Sequence, residues 1–168
     1  MTIKINKERA EHINAITLLT EAAFQHEEHS SHTEQFIVNS LRDSGQLTVS
    51  LVAIDGESVV GHVAVSPVAI SSGDTEWYGL GPISVSPERQ GQGIGSQMMK
   101  AALEEIQRLG AAGCVVLGNP AYYGRFGFKA HPGLILPGVP QEYFQAISFG
   151  NKVPCGDVKF HEAFDATE

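Results

Sequence analysis

The sequence predicts an α+β protein with a mixed, mostly antiparallel β-sheet flanked by helices. Two strand-like segments meet at Asp55-Gly56, a dipeptide typical of the tight turn in an antiparallel hairpin. A long amphipathic helix then separates a third strand from a fourth. Because helices do not alternate with strands along the whole chain, a doubly wound parallel sheet is excluded.

The N-terminal half is predicted to contain two helices and three strands. Apolar residues recur at helical spacing over Arg9–Ala23 and Thr33–Arg42, and Thr33 is placed to cap the second helix. The strands are Val49–Ile54, Ser58–Ile70 and Thr75–Val85. Gly81-Pro82 interrupts the third strand, and since proline cannot donate a ladder hydrogen bond, we expect a bulge or a parting of strands there.

The C-terminal half is predicted to contain one long helix, one short helix and three strands. In chain order these elements are a helix over Gln92–Leu109, a strand over Ala112–Leu117, a short helix over Pro120–Arg125, a strand through Phe128, a Gly- and Pro-rich loop over Gly133–Pro140, and a last strand over Tyr143–Phe149. We find no internal repeat and no linker, and expect one domain over residues 1–168.

Composition excludes several classes of protein. A hydrophobic content of 42% with 18% charged residues is typical of a globular domain, and the net charge of −8 argues against nonspecific nucleic-acid binding. No apolar stretch has the length of a membrane span, and the N-terminus lacks the apolar segment of a signal peptide. We therefore expect a cytoplasmic protein with neither a nucleic-acid nor a membrane partner, as a monomer or homodimer.

Cysteine and histidine usage indicates neither disulfides nor a metal. Cys114 and Cys155 are too few for a disulfide framework, and Cys114 lies in an apolar strand, as a small buried residue does. Three histidines and two glutamates cluster in residues 25–32. Closeness in a loop does not make ligands converge, so we expect a surface loop and no bound metal.

A glycine-rich turn precedes the long helix. Gly91, Gly93 and Gly95 lie within Gln90–Ser96. Glycine permits a tight turn and the close approach of a ligand. The first amides of a helix lack intrahelical partners and lie at the positive end of its dipole. The turn therefore predicts a site for a phosphate group.

Two nucleotide-binding motifs match this turn poorly. A P-loop requires a lysine after its last glycine, but Gly95 is followed by Ser96. In a dinucleotide fingerprint the third glycine would come one residue later, and the next strand here ends in Gly118-Asn119 rather than an acid. An NAD-type binding module remains as an alternative.

The spacing Gln90-x-x-Gly93-x-Gly95 resembles the pyrophosphate loop of the GCN5-related N-acetyltransferases (GNAT). Downstream, Leu117–Phe128 resembles the family segment in which a short helix carries a tyrosine and continues through Gly-Phe, and Tyr123 matches that tyrosine. The chain is similar to the YhbS-like bacterial branch from its first helix to about Gly150. The resemblance implies a sheet with a splayed central strand pair and acetyl-CoA as co-substrate.

The resemblance also implies which residues hold acetyl-CoA. The pantetheine arm would pair with the strand residues Ile83, Ser84 and Val85. The pyrophosphate would bind Gln90, Gly91, Gln92, Gly93, Ile94, Gly95 and Ser96. An amide near Ile83 would donate to the thioester oxygen as negative charge develops there. Asn119 would contact the pantetheine arm, or cap the helix that begins at Pro120.

Tyr123 is the candidate general acid, because a phenol can donate to the departing sulfur; the alternative is a tyrosine of the core. Glu76, which opens the strand leading to the bulge, is the candidate general base, since related enzymes often place a base there. His62 is a second candidate, although a lone histidine in an apolar strand is typical of a core residue, and ordered water is a third. Arg125 either approaches a coenzyme phosphate or covers the surface.

The expected reaction is direct transfer of acetyl from acetyl-CoA to a primary amine, of a small molecule, within a ternary complex. The alternatives are acetylation of a protein lysine or N-terminus, and a sensor that binds acyl-CoA without turnover.

Overall fold

The computed structural model describes residues 2–168, which form eight strands and four α-helices. The strands are Ile3–Lys7 (β1), Val49–Asp55 (β2), Ser58–Ile70 (β3), Trp77–Val85 (β4), Gly113–Leu117 (β5), Leu134–Ile135 (β6), Phe144–Ser148 (β7) and Gly156–Phe160 (β8). The helices are Ile13–Phe24 (α1), Glu34–Asp43 (α2), Ile94–Arg108 (α3) and Pro120–Tyr123 (α4). None of the helices in this range is long and apolar enough to cross a membrane.

The predicted mixed, mostly antiparallel sheet is confirmed. Its main path runs β1-β2-β3-β4-β5-β7, and every neighbouring pair on this path is antiparallel except β4 with β5. Strand β8 pairs antiparallel with the end of β3, and β6 pairs parallel with β8. The one parallel pair on the main path, β4 with β5, therefore lies in the interior of the sheet.

The two faces of the sheet carry different helices, because side chains alternate along each strand. Val63 of β3 packs in the core cluster that contains Met98 of α3. Val52 of β2 packs on the opposite face with Ile16 of α1 and Val38 of α2. The sheet is thus enclosed by α3 on one face and by α1 and α2 on the other.

The strands β4 and β5 part where the sequence predicts an irregularity. Their pairing covers only Trp77–Gly79 of β4. On the other side of β4, Val63 lies opposite Ile83 but Val65 lies opposite Leu80, so the residues between them on β4 bulge at Gly81-Pro82. The prediction of a bulge with parting strands is confirmed, and the C-terminal ends of β4 and β5 form a splayed pair.

Four sequence-based expectations about strands are wrong. The strands β1, β6 and β8 were not predicted, and no strand passes through Phe128, where only an isolated bridge joins Lys129 to Ala146. The missed strands are short, and β6 lies inside the segment expected to be a loop. Such strands have too little intrinsic pattern, so they form only because a neighbouring edge supplies hydrogen bonds.

The helix boundaries differ modestly from those expected. Helix α1 begins after a short 3-10 turn at Ala10–His12. Thr33 occupies the N-cap position of α2, but its side chain makes no capping hydrogen bond; the hydroxyl pairs instead with that of Ser31. A local hydroxyl partner has therefore replaced the helix amide.

Candidate active site

The glycine turn leaves helix amides free. Gly91 and Gly93 have φ values of 78° and 82°, in the left-handed region that favours glycine. Gly93 is the N-cap of α3, and the Gln97 amide donates to its carbonyl over 3.1 Å. The amides of residues 94–96 precede that first intrahelical bond and have no partner within the helix. Together with the helix dipole they form an anion-binding arrangement.

The turn borders an open cavity of about 320 Å³, whose wall also includes Val85, Tyr122 and Arg125. The Arg125 guanidinium lies 4.6 Å from the centre of the Tyr122 ring, and its Nε donates to the Tyr122 carbonyl over 3.4 Å. These contacts hold a positive charge at the wall of the cavity. The cavity therefore combines free amides with a cation, as phosphate binding requires.

Side chains of the turn tie it to the sheet. The Gln90 amide nitrogen donates to the Val85 carbonyl at the end of β4 over 3.2 Å. Arg89 forms an ion pair with Asp55 of β2 at 2.9 Å and donates to the Gln92 side chain over 3.2 Å. The loop is consequently held next to the splayed end of β4.

The backbone of β4 presents unpaired groups to the gap. The Ser86 amide donates to the Val60 carbonyl over 2.9 Å, which makes that pair a hydrogen-bonded one. Antiparallel ladders alternate, so the next hydrogen-bonded pair is Ser84 with His62. The N–H and C=O groups of Ile83 and Val85 then point away from β3, toward the side from which β5 has parted. An extended ligand in the gap would meet these groups.

Tyr123 packs over the end of β5. A Cβ on Gly118 would lie 2.7 Å from the ring carbon Cε2 of Tyr123, so only glycine admits the ring at this distance. The ring also meets Phe128 edge-on, with centroids 6.1 Å apart. Burial, with a contribution from Tyr122, raises the pKa of Tyr123 to about 12. Its phenol is therefore protonated throughout the neutral range.

The adjacent tyrosine is directed elsewhere. The Tyr122 hydroxyl lies 3.1 Å from the position that a Cβ on Gly95 would take, at the start of α3. The two rings are nearly perpendicular, with centroids 5.1 Å apart. Tyr122 thus reaches the glycine turn, whereas Tyr123 lies at the end of β5.

Two side chains hold the segment at the start of α4: Asn119, which the sequence predicted, and Gln145, which it did not. The Asn119 side chain accepts a hydrogen bond from the Ala121 amide at 2.9 Å, so the predicted N-cap is confirmed. The unpredicted residue is Gln145 of β7, which is 1% exposed and donates to the Gly118 carbonyl over 3.1 Å. Side chains alternate along a strand, and Gln145 follows the apolar Phe144, so the pattern predicts that Gln145 points to solvent. No sequence signal therefore identifies it.

Glu76 lies apart from this group. It is exposed, precedes β4 and has a φ of 64°. Its carboxylate accepts from the Tyr78 hydroxyl at 3.5 Å, and its carbonyl accepts from the Ala112 amide at 2.8 Å. The paired section Trp77–Gly79 therefore separates Glu76 from the splayed ends. Its assignment as the general base stays a prediction.

The other titratable candidates are deeply buried. His62 of β3 is 0% exposed, with Nε2 2.8 Å from the Ser50 hydroxyl, and burial lowers its pKa to about 4. Burial raises the pKa of the Cys114 thiol, as expected of an inert core cysteine. Among residues 2–168, no group of three or more His, Cys, Asp or Glu side chains is arranged to hold a metal ion.

Comparison with known proteins places this geometry in a family. The acetyltransferase (GNAT) domain model matches residues 4–130. The uncharacterised N-acetyltransferase YhbS of Escherichia coli is 38% identical over 143 residues, which cover 80% of this chain and 85% of that protein. The crystal structure of YhbS in complex with CoA has a TM-score of 0.88 at 34% identity and covers 99% of this chain and 93% of that one.

A second solved structure is similar over the full length. It is a GNAT family acetyltransferase from Brucella melitensis in complex with acetyl-CoA, 45% identical, with a TM-score of 0.88. The match covers 98% of this chain and 99% of that one. The resemblance carried by the glycine turn and Tyr123 thus extends to the whole fold. The chain belongs to the GNAT family of N-acetyltransferases.

Proposed function

We propose that this protein transfers an acetyl group from acetyl-CoA to the primary amine of a small molecule, by direct attack in a ternary complex. One observation carries the proposal. The splayed ends of β4 and β5 leave a gap beside the outward backbone of Ile83 and the free amides of residues 94–96, and the Tyr123 ring packs on Gly118 at the end of β5. The solved relatives with acetyl-CoA and CoA support this choice of co-substrate.

The residues present suit each part of the co-substrate. The free amides and the Arg125 guanidinium would bind the pyrophosphate. The pantetheine arm would lie along Ile83–Val85 as an added strand, since the outward backbone groups there match an extended amide chain. Gln90 holds the turn through the Val85 carbonyl and would contribute by its backbone rather than its side chain. Asn119, whose side chain caps α4, would border the arm.

The chemistry then follows from this placement. The Ile83 N–H donates to the thioester oxygen as negative charge develops on it. The neutral amine attacks the carbonyl carbon, a C–N bond forms, and the C–S bond breaks with its electrons on sulfur. One N–H bond of the attacking nitrogen breaks as well, and a base takes its proton. Because the pKa of Tyr123 is about 12, above the value of about 8.5 for an ordinary thiol, the phenol stabilises the leaving thiolate by a hydrogen bond and retains its proton.

A compact, cationic acceptor is favoured over a protein. Helices α1 and α2 cover the sheet face opposite α3, which leaves an extended peptide little room there. The net charge of −8 attracts cations to the surface of the protein.

A binding and turnover panel tests the proposal. Acetyl-CoA is expected to raise the melting temperature and NAD is not, because the site suits the pyrophosphate and pantetheine of a coenzyme A. Thiol release is then measured with benzylamine, putrescine, lysine methyl ester and a peptide with a free N-terminus. Acetylation of the peptide alone would indicate a protein acceptor. Stabilisation by acetyl-CoA without acetylation of any acceptor would indicate a sensor and contradict the proposal.

Tyr123→Phe tests the role of the phenol. Loss of the hydrogen bond to sulfur is expected to lower kcat by about 100-fold, with the dissociation constant of acetyl-CoA unchanged. Tyr143→Phe is the control, because that ring is 45% exposed and has no proposed contact with acetyl-CoA. An unchanged kcat for Tyr123→Phe would remove Tyr123 from the mechanism.

Glu76→Gln decides the remaining prediction for the general base. If the Glu76 carboxylate takes the proton of the amine, kcat falls by about 100-fold or more. If it is a surface carboxylate, kcat is retained at every pH.

A further inference from the structure

The sheet face beneath α1 and α2 contains an unusual set of buried polar atoms. Within residues 2–168, four buried side-chain atoms have no hydrogen-bond partner in the protein: Gln35 Oε1, His62 Nδ1, Ser66 Oγ and Ser84 Oγ. Three of them lie on β3 and β4, and His62 is directly opposite Ser84. Buried polar atoms are nearly always paired, so unpaired ones in one layer indicate a place where water or substrate completes the bonds.

His62 is connected to a carboxylate through one hydroxyl. Arg42 donates two hydrogen bonds of 2.7 Å to the two carboxylate oxygens of Glu8. The Ser50 hydroxyl donates to Glu8 Oε1 over 2.6 Å. The Ser50 oxygen also lies 2.8 Å from His62 Nε2. The result is a continuous line of hydrogen bonds from the ion pair to the imidazole.

The line determines the tautomer of His62. Burial alone would raise the pKa of Glu8, but the hydrogen bonds from Arg42 and Ser50 lower it overall, so Glu8 is an ionised acceptor. The single proton of Ser50 is used on Glu8, and Ser50 must therefore accept from His62 Nε2–H. His62 Nδ1 is left with a lone pair and no partner in the protein.

That lone pair lies close to the proposed reaction centre. Side chains of directly paired residues lie on the same face with Cβ atoms about 5 Å apart, so His62 and Ser84 are neighbours. Ser84 follows Ile83, whose N–H is proposed to hold the thioester oxygen. The face that carries His62 and Ser84 is the one opposite α3 and its phosphate-binding turn.

We propose that His62, Ser50 and Glu8 form a proton relay that takes the proton of the acceptor amine through the Ser84 hydroxyl and carries it to solvent. This rests on the proposed acetyl transfer. His62 acts through Ser84 and is a positioning residue for proton removal rather than one that touches the substrate.

The proton balance of the relay is complete. The Ser84 hydroxyl, which has no partner in the resting protein, turns toward His62 Nδ1. The N–H bond of the attacking amine then breaks and its proton joins Ser84, while the Ser84 proton passes to His62 Nδ1. The proton on His62 Nε2 passes to Ser50, and that of Ser50 passes to Glu8. Glu8 borders an open cavity of about 370 Å³ and releases the proton to solvent. His62 then carries its proton on Nδ1. It returns to the Nε2–H tautomer after product release, when Nδ1 gives its proton through Ser84 to solvent and Nε2 takes one from solvent through Glu8 and Ser50.

The charges around His62 are compatible with this role. The segment after β1 contributes Glu8 and α2 contributes Arg42 to the surroundings of His62, whereas its neighbours Ser50 on β2 and Ser84 on β4 are neutral. Burial lowers the pKa of His62 to about 4 and Glu8 partly opposes this, so Nδ1 is unprotonated and able to accept at neutral pH.

The test compares His62→Gln with Ser66→Ala. Glutamine retains a donor in the position of Nε2 but has no basic nitrogen. With acetyl-CoA and benzylamine, His62→Gln is expected to lower kcat about tenfold or more at pH 7, with the KM for acetyl-CoA unchanged. The deficit should shrink as the pH rises, because bulk base then takes the proton of the attacking amine in place of the relay. Ser66→Ala, an unpaired buried serine outside the relay, should retain the wild-type profile.

Two outcomes would overturn the relay: an unchanged kcat, or a deficit in His62→Gln that is equal at every pH, as a purely structural change would give. The histidine nitrogen NMR shifts of the wild-type protein give a second readout that needs no variant. The Nε2–H tautomer of His62 is expected throughout the neutral range, and the Nδ1–H tautomer would overturn the proposal. If the wild type acetylates no amine, the proposed function fails; if the wild type is active and the His62→Gln profile is parallel to it, only the relay fails.

Discussion

At the scale of single residues, Gly118 decides where the phenol of Tyr123 lies. Its missing side chain lets the ring pack on the backbone at the end of β5, and its carbonyl is held by the buried Gln145. The position of the hydroxyl is therefore set by packing and not only by the helix that carries the tyrosine. In acyl transfer, small displacements of a reacting group have large effects on rate.

Gly118→Ala is expected to move the Tyr123 ring, because the new Cβ would lie 2.7 Å from Cε2. We expect kcat to fall about 10- to 100-fold with the affinity for acetyl-CoA retained, since the glycine turn proposed to bind the pyrophosphate is untouched. The control is Gly124→Ala in the same segment, where a Cβ meets no atom within 4 Å. Steady-state kinetics and titration calorimetry measure both effects, and equal kcat values for the two variants would contradict the prediction.

At the scale of elements, the turn between β4 and α3 meets two requirements of the proposed site. Its left-handed glycines direct the chain into the helix with free amides, and Gln90 and Arg89 hold it against the sheet. A phosphate-binding turn must lie at a helix start and also beside the gap that admits the rest of the ligand. Here the bulge in β4 opens the gap a few residues before the turn begins.

Gly93→Leu is expected to abolish stabilisation by acetyl-CoA while the protein still folds. A side chain at φ 82° costs about 1–2 kcal/mol of backbone strain and would occupy the space beside the free amides. Gly73→Leu is the matched control, with a φ of 87° and the same open surroundings in a turn away from the site. Thermal unfolding with and without acetyl-CoA separates strain from binding. Retained binding in Gly93→Leu would show that the pyrophosphate lies elsewhere.

At the scale of the whole molecule, the buried polar layer links folding to pH. Burial holds the pKa of His62 at about 4, below its ordinary value of 6.5. A group with a lowered folded-state pKa contributes stability that is complete above its unfolded value and is lost as the pH falls toward the folded one. Glu8 acts in the same direction at lower pH, since its pKa is also lowered.

The free energy of unfolding is therefore expected to fall by about 3 kcal/mol between pH 7 and pH 4 on account of His62. Urea unfolding at several pH values measures this. His62→Gln removes the titrating group, so its unfolding free energy should change much less over the same interval. A wild-type curve parallel to that of His62→Gln would contradict the buried neutral histidine.

Much of the site could be predicted from short stretches of sequence. The glycine turn, the break at Gly81-Pro82 and the cap at Asn119 each depend on residues a few positions apart, whose backbone preferences act locally. The same holds for α3, whose apolar residues repeat at helical spacing. These local preferences sufficed to predict the order of elements from α1 to β5.

Pairing between residues distant in the sequence determined the rest of the fold and of the site. The missed strand β8 exists because the end of β3 offers it an edge. The line from Glu8 through Ser50 to His62 joins residues 42 and 12 positions apart, and only the register of the sheet brings them together. By itself the sequence determined the fold class, the glycine turn before α3 and the candidate tyrosine. Only the tertiary structure decided which buried atoms have partners, because hydrogen bonds between distant residues depend on strand register rather than on local preference.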